Sequence, residues 1–318
     1  MSRHSAIPAL LGLCALTLAA LALAQSTLVP YTFYQLELQD NFAKNSANVK
    51  GTPYEPYFKP DLYVYSEMIE PGRTPIDCET QAMKGDFSDI NTLLAPPSVE
   101  LANENAWCSY PDGQGYVASR THFPNVTADM INWWFWWHSA ESVRYSLWHP
   151  WAHVSISSDY TSKFGDASLN DTQKRIGSTH HITEIIGEVT ETIDIHWKNA
   201  SYFGLNVDDF PANKIVADAC GEIVVGGSLK AVDMIHLWYD TGSGLELRSR
   251  YFLGNNVTLT IPVLGQVLPV EQVADALGIK QYIVGRELSY LQFHHDQQEM
   301  THLASVLPDI YHAFSGRS

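Results

Sequence analysis

Residues 234–253 read MIHLWYDTGSGLELRSRYFL, two apolar-rich runs on either side of a Gly-Ser-Gly turn. Asp240 and Leu245 bracket a four-residue loop, Thr241 to Gly244, and pairing those flanks sets a hairpin register. Trp238 then lies opposite Leu247, His236 opposite Ser249, and Met234 opposite Tyr251. Side chains alternate along a strand, so Leu245, Leu247, Tyr251 and Leu253 are expected to face inward, and Glu246, Arg248 and Arg250 outward. His236 and Tyr251 would share the buried face.

Other strand-like runs precede and follow this hairpin's first strand: Val143–Ser157, His180–Lys198, Ile215–Val225 and Leu229–Tyr239, with Leu245–Leu253 after the turn. A helix capped by Thr127 and Asp129 leads into them, and two helices, about Val270–Leu277 and Arg286–Leu307, close the chain. Helix, many strands and a long final helix read as α+β, an antiparallel sheet curved around a C-terminal helix. Residues 25–125 are rich in Pro, Tyr, Asn and Gly and predict a small loop-rich N-terminal region, with the main domain at 126–318.

The formal charge of −16 argues against nucleic-acid or anionic-membrane partners, which need basic patches. Residues 1–24 predict a cleaved signal peptide: Arg3 and His4, an apolar run Leu10–Leu23, then Ala22-Leu23-Ala24 before Gln25. The apolar run is shorter than the ~20 residues a membrane span needs, so a secreted, soluble protein is expected. Sequons at Asn125, Asn170, Asn199 and Asn256 agree with a glycoprotein. An oxidising compartment favours pairing Cys78 with Cys108, leaving Cys220 as a buried thiol.

Several residues could carry chemistry. His295 and Glu299 are four apart on the last helix, a common spacing for metal ligands, and His295 falls on the face of Leu288 and Leu291, with Tyr290 also expected on the buried side. Glu184 sits among Ile182, Ile185 and Ile186, so its carboxylate must be paired, protonated or metal-bound; by strand parity His180, not His181, shares its face. In Trp133–His153, WWFWWHSAESVRYSLWHPWAH, alternation puts Tyr145, Leu147 and His149 on one strand face, and His153 begins a new alternation. His138 is expected to be a capping or surface residue, and His149 a hydrogen-bonded core histidine. No GxSxG, HExxH, P-loop or GxGxxG occurs.

The Trp133–His153 block, the STHHITEIIG segment at 178–187 and the closing HDQQEMTHLASVLP together resemble the 2,4-diacetylphloroglucinol hydrolase family, which includes phloretin hydrolase. The likeness runs from about residue 126 to the end. It implies a Bet v1-like fold and a zinc-dependent hydrolase of carbon–carbon bonds. Matched motif by motif, the zinc ligands fall on His153, Glu184, His295 and Glu299, the substrate-positioning tyrosines on Tyr145 and Tyr251, and a pocket histidine on His236. It also implies a homodimer through the N-terminal region. The chain departs from the family pattern at Ile156, where an Asn is expected three residues after the first ligand. An apolar side chain there cannot contact a second acetyl or hydroxyl group.

The expected activity is hydrolysis of an acylated polyhydroxyphenol by zinc-activated water, with His236 as proton shuttle. Two other readings fit the same residues: a non-catalytic binder of aromatic small molecules, and a metal-dependent esterase. Bound zinc and loss of activity with chelator separate the first; ester and ketone substrates assayed side by side separate the second.

Overall fold

The hairpin forms in the register set by its loop: Leu245 pairs with Asp240, Leu247 with Trp238, Ser249 with His236 and Tyr251 with Met234. The computed structural model describes residues 26–261, 266–278, 280–281, 284 and 287–316. The expected signal segment, and Arg286 at the expected start of the last helix, lie outside them.

The strands are β1 (Leu28–Tyr31), β2 (Leu62–Tyr65), β3 (Ala106–Ser109), β4 (Gly115–Pro124), β5 (His153–Ser158), β6 (Thr179–Ile186), β7 (Val189–Lys198), β8 (Ile215–Val225), β9 (Leu229–Asp240), β10 (Gly244–Ile261) and β11 (Gln266–Pro269). The helices are α1 (Leu36–Val49), α2 (Ile69–Arg73), α3 (Cys78–Gln81), α4 (Ala128–Trp137), α5 (Ser142–Ser146), α6 (Asp171–Arg175), α7 (Glu271–Ala276) and α8 (Leu288–Phe314). Nine strands make one antiparallel sheet in the order β3-β4-β10-β9-β8-β7-β6-β5, with β11 beside β10. α8 lies against this sheet, touching β4, β3 and β6. The architecture is α+β, a large antiparallel sheet holding a long C-terminal helix.

β3 and β4 belong to the sheet, so it extends past the boundary expected at residue 125. Gly115 on β4 allows the close approach of α8: a Cβ there would meet Ser289 Oγ at 2.0 Å. α8 also continues beyond the expected Leu307 through Pro308, because Ile310 and Phe314 are buried at its far end. Phe314 packs on Tyr54 and Trp137, with centroids 5.2 and 5.5 Å apart. Among the described residues no helix is long and apolar enough to cross a membrane.

Three local expectations change. The strand expected over Val143–Ser157 is instead α5, a turn, and β5 starting at His153. Every residue from Tyr145 to Pro150 is buried, so apolar periodicity carries no signal there. Tyr290, expected on the buried side of the last helix, is 40% exposed. Glu246, Arg248 and Arg250 do point away from α8, but not to solvent. The segment around residues 90–105 covers that face, and Glu104 pairs there with Arg248 Nε and Arg250 Nη2, each at 3.2 Å. Both faces of the central sheet are therefore buried.

Thr127 caps α4 as expected, its Oγ1 accepting from Met130 N. Met130, Ile131 and all of Trp133–Trp137 are buried, with Trp133 stacked on Trp137 at 4.5 Å. Cys78 and Cys108 form a disulfide, and Cys220 is a buried free thiol.

Candidate metal centre

His153 opens β5, and the register places it directly opposite Glu184 on β6. One turn of α8 separates His295 from Glu299, and that face looks onto the same strands. His153 Nε2 lies 3.9 Å from Glu184 Oε2 and 3.3 Å from Glu299 Oε2. His295 Nε2 lies 3.7 and 3.9 Å from the same two oxygens. One ligand atom each from His153, Glu184 and His295 fits within 4.8 Å, close enough to hold a metal ion. All four side chains are buried.

The local chemistry fits a cation. Nε2 of His153 and of His295 are buried and have no hydrogen-bond partner, although polar groups in a protein interior are almost always satisfied. Burial, with Asp296 and Glu184 nearby, pushes the Glu299 carboxyl well above the usual carboxylate range. A divalent ion would satisfy both nitrogens and let the Glu299 carboxyl ionise.

Neighbouring groups fix the His153 ring. Its Nδ1 lies 3.1 Å from the Tyr145 carbonyl, which directs a proton to Nδ1 and leaves Nε2 for a metal. The Tyr145 ring stacks on it at 3.8 Å, and the Tyr145 hydroxyl donates to Glu184 Oε2 at 2.9 Å. Asn41 and Asn45 on α1 both donate to the His153 carbonyl, at 3.0 and 2.7 Å. Sequence reasoning missed this clamp, whose signal was two asparagines on the stripe of Leu38 and Val49. His149 is a satisfied core histidine: Nδ1 accepts from Ala152 N, so Nε2 donates to Gln298 Oε1 at 3.2 Å. His138 is the C-cap residue of α4, one of its two expected places, and is buried, with Nδ1 2.6 Å from the Trp134 carbonyl.

Glu184, His295 and Glu299 line one wall of a cavity with about 1030 Å³ of space between atoms, its mouth included, with His153 buried behind them. His236 and Tyr251 line it from β9 and β10. Ser249 Oγ is 2.8 Å from His236 Nδ1, and Tyr251 Oη is 3.4 Å from its Nε2. The Tyr251 hydroxyl donates to Asp296 Oδ1 at 2.9 Å. Asp296, fully buried beside His295, is a third residue that the sequence reading missed. The Asp296→Asn change keeps the shape but removes the charge holding Tyr251. It is expected to lower kcat roughly 10- to 100-fold with metal content unchanged. Full activity in a metal-replete variant would reduce Asp296 to a packing role. Ile156, from β5, lines the cavity as an apolar residue.

The family model for the DAPG hydrolase PhiG domain matches residues 83–312. A 2,4-diacetylphloroglucinol hydrolase from Pseudomonas protegens is 32% identical over 310 residues, covering 95% of this chain and 98% of that protein. The chain belongs to the 2,4-diacetylphloroglucinol hydrolase family. A phloretin hydrolase from Eubacterium ramulus is 28% identical over 226 residues, covering 71% of this chain and 77% of that protein. Among solved structures, Ara h 8.0201 superposes with a TM-score of 0.29 at 13% identity, over 57% of this chain and 99% of that one. As a member of the family, the chain is a hydrolase.

Buried histidines also make this hydrolase acid-sensitive. Burial holds His138 and His302 down to about 4 and His236 down to about 3. Unfolded histidines titrate near 6.5, so from pH 6.5 down to about 4 the unfolded chain binds protons that the folded one refuses. Stability therefore falls as pH falls. Asp233 and Asp296, raised to about 6 by burial, act oppositely between about 4 and 6, as do the raised Glu246 and Glu299, while the lowered His149, His153 and His180 add to the histidine side. Urea unfolding is expected to show roughly a few kcal/mol less stability at pH 5 than at pH 7. Equal stability at both would mean that these imidazoles are hydrated.

Proposed function

We propose that this enzyme hydrolyses the carbon–carbon bond between a polyhydroxylated aromatic ring and its acyl group, using zinc held by His153, Glu184, His295 and Glu299. The observation that carries this reading is the pair of buried, unpartnered imidazole nitrogens facing two carboxylates at the cavity wall. The relatives' names, which specify hydrolases of 2,4-diacetylphloroglucinol and of phloretin, support the substrate class. When bound, zinc supplies Lewis acidity sufficient to bring the pKa of a water to about 7 and to polarise a ketone.

The chain's own residues do the rest. Tyr145 and Tyr251 orient the ring oxygens. Water oxygen bonds to the ketone carbon, the bond to the ring breaks with its electron pair on the ring carbon, and a proton completes the released phenol. The acyl group leaves as a carboxylic acid. His236 is placed to carry that proton: with Nδ1–H donating to Ser249 Oγ, the cavity-facing Nε2 takes the proton that the attacking water gives up and passes it to the ring carbon. Phe135, Trp148 and Trp197 give the flat ring an apolar enclosure.

The test sets acylphloroglucinol ketones beside an aryl ester, with metal analysis before and after chelation. Expected are one zinc per chain, ketone cleavage, and its loss on metal removal. Ester cleavage without ketone cleavage would make this a metal esterase; activity indifferent to chelation would remove the metal.

We further propose that the protein is secreted and glycosylated. Asn125, Asn170, Asn199 and Asn256 are all exposed, and the Cys78–Cys108 disulfide suits an oxidising compartment. A homodimer through the N-terminal region remains the proposed assembly, checked by light scattering.

A further inference from the structure

Two buried polar atoms at the cavity wall lack partners and take no part in the metal centre: Nε2 of His180 and Nε1 of Trp197. His180 on β6 pairs with Ile195 on β7, and Trp197 lies two residues further along β7 on the same face. Strand alternation thus aims both side chains into the cavity. Their rings meet edge to face with centroids 5.3 Å apart, at 1% and 3% exposure. Trp134 and Trp238 also leave Nε1 unpartnered, but neither lines the cavity.

An indole N–H can only donate, whereas a neutral imidazole nitrogen without hydrogen accepts. One hydroxyl satisfies both, accepting from Trp197 and donating to His180. With the His180 hydrogen on Nδ1, a carbonyl oxygen, which only accepts, leaves its Nε2 with nothing. β9 and β10 present His236 and Tyr251 to the cavity, and between the two stations β8 contributes only the aliphatic Ile223 and Val225. A flat ring over that floor has hydroxyl partners at two separate edges.

We infer that His180 and Trp197 form a second hydroxyl-binding station, so that the enzyme selects ketones flanked by hydroxyls on both ortho positions of the ring. This rests on the proposed carbon–carbon hydrolysis. The station rewards the second ortho hydroxyl, because a ring without it leaves both buried nitrogens unpaired, and a site built for a hydroxyl discriminates strongly against its absence.

The test compares 2,4,6-trihydroxyacetophenone with 2,4-dihydroxyacetophenone in wild type, Trp197→Phe, His180→Leu and His180→Gln. Trp197→Phe keeps an aromatic ring against Phe135 and removes the donor. The trihydroxy-to-dihydroxy ratio of kcat/KM is expected to fall about fivefold or more in Trp197→Phe and His180→Leu, chiefly through KM, and less in His180→Gln. A ratio equal to that of wild type in both Trp197→Phe and His180→Leu overturns the station, whatever happens to absolute rates. Calorimetry with phloroglucinol and resorcinol reads the same discrimination without catalysis. If no ketone is cleaved, the proposed reaction falls, and the calorimetric ratio still decides the station.

Discussion

Replacing His153 with alanine is expected to remove the bound metal and lower kcat/KM by more than about 100-fold, since even outer partners of a metal ligand cost ~10–100-fold. Its Nε2 lies 3.3 Å from Glu299 Oε2 and 3.9 Å from Glu184 Oε2, with no hydrogen-bond partner. Its ring is held by Tyr145 and its carbonyl by Asn41 and Asn45, which fix where Nε2 points. Metal analysis and steady-state kinetics on the same preparation check this. Full zinc content in the alanine variant would remove His153 from the ligand set; zinc loss with activity kept would remove the metal from the reaction.

The Glu104→Ala change, far from the metal, is expected to cost about 3–5 kcal/mol of stability, the usual loss when one partner of a buried ion pair is deleted. Two guanidiniums pair with that carboxylate, Arg248 with Glu246 at 3.4 Å as well, and neither can reach water: Arg248 and Arg250 are 0% and 1% exposed. Arg248 also donates to the carbonyls of Ala95 at 2.7 Å and Val99 at 3.0 Å, so the same network fastens the covering segment to the sheet. A melting point about 10 °C lower is expected by calorimetry. Had these arginines faced solvent, as strand alternation suggested, the change would be nearly neutral. A shift under about 2 °C would therefore restore that reading.

This contrast marks where sequence reasoning stops. Alternation states which side of the sheet a residue takes, and it placed His236 and Tyr251 together correctly. It cannot state what covers the opposite side, because that depends on residues 90–105, over a hundred positions away in sequence. The failure at Tyr145 is of the same kind. In a segment buried on all sides every position is apolar or enclosed, so helix and strand look alike. Asn41, Asn45 and Asp296 were missed because a polar residue on an apolar stripe has no meaning until its partner is known.

The sequence by itself determined the hairpin register, the cap on α4, the Cys78–Cys108 pairing, and His295 and Glu299 on one face of a helix. All follow from local periodicity, a few residues of turn chemistry or the small number of cysteines. Only the tertiary structure decided that His153 and Glu184 meet that helical pair, and that α1 clamps the His153 backbone. It also decided that His180 and Trp197 leave two nitrogens unsatisfied in the same cavity. These are contacts between strands, helix and N-terminal segment, set by how the sheet curves around α8, and no local pattern encodes them.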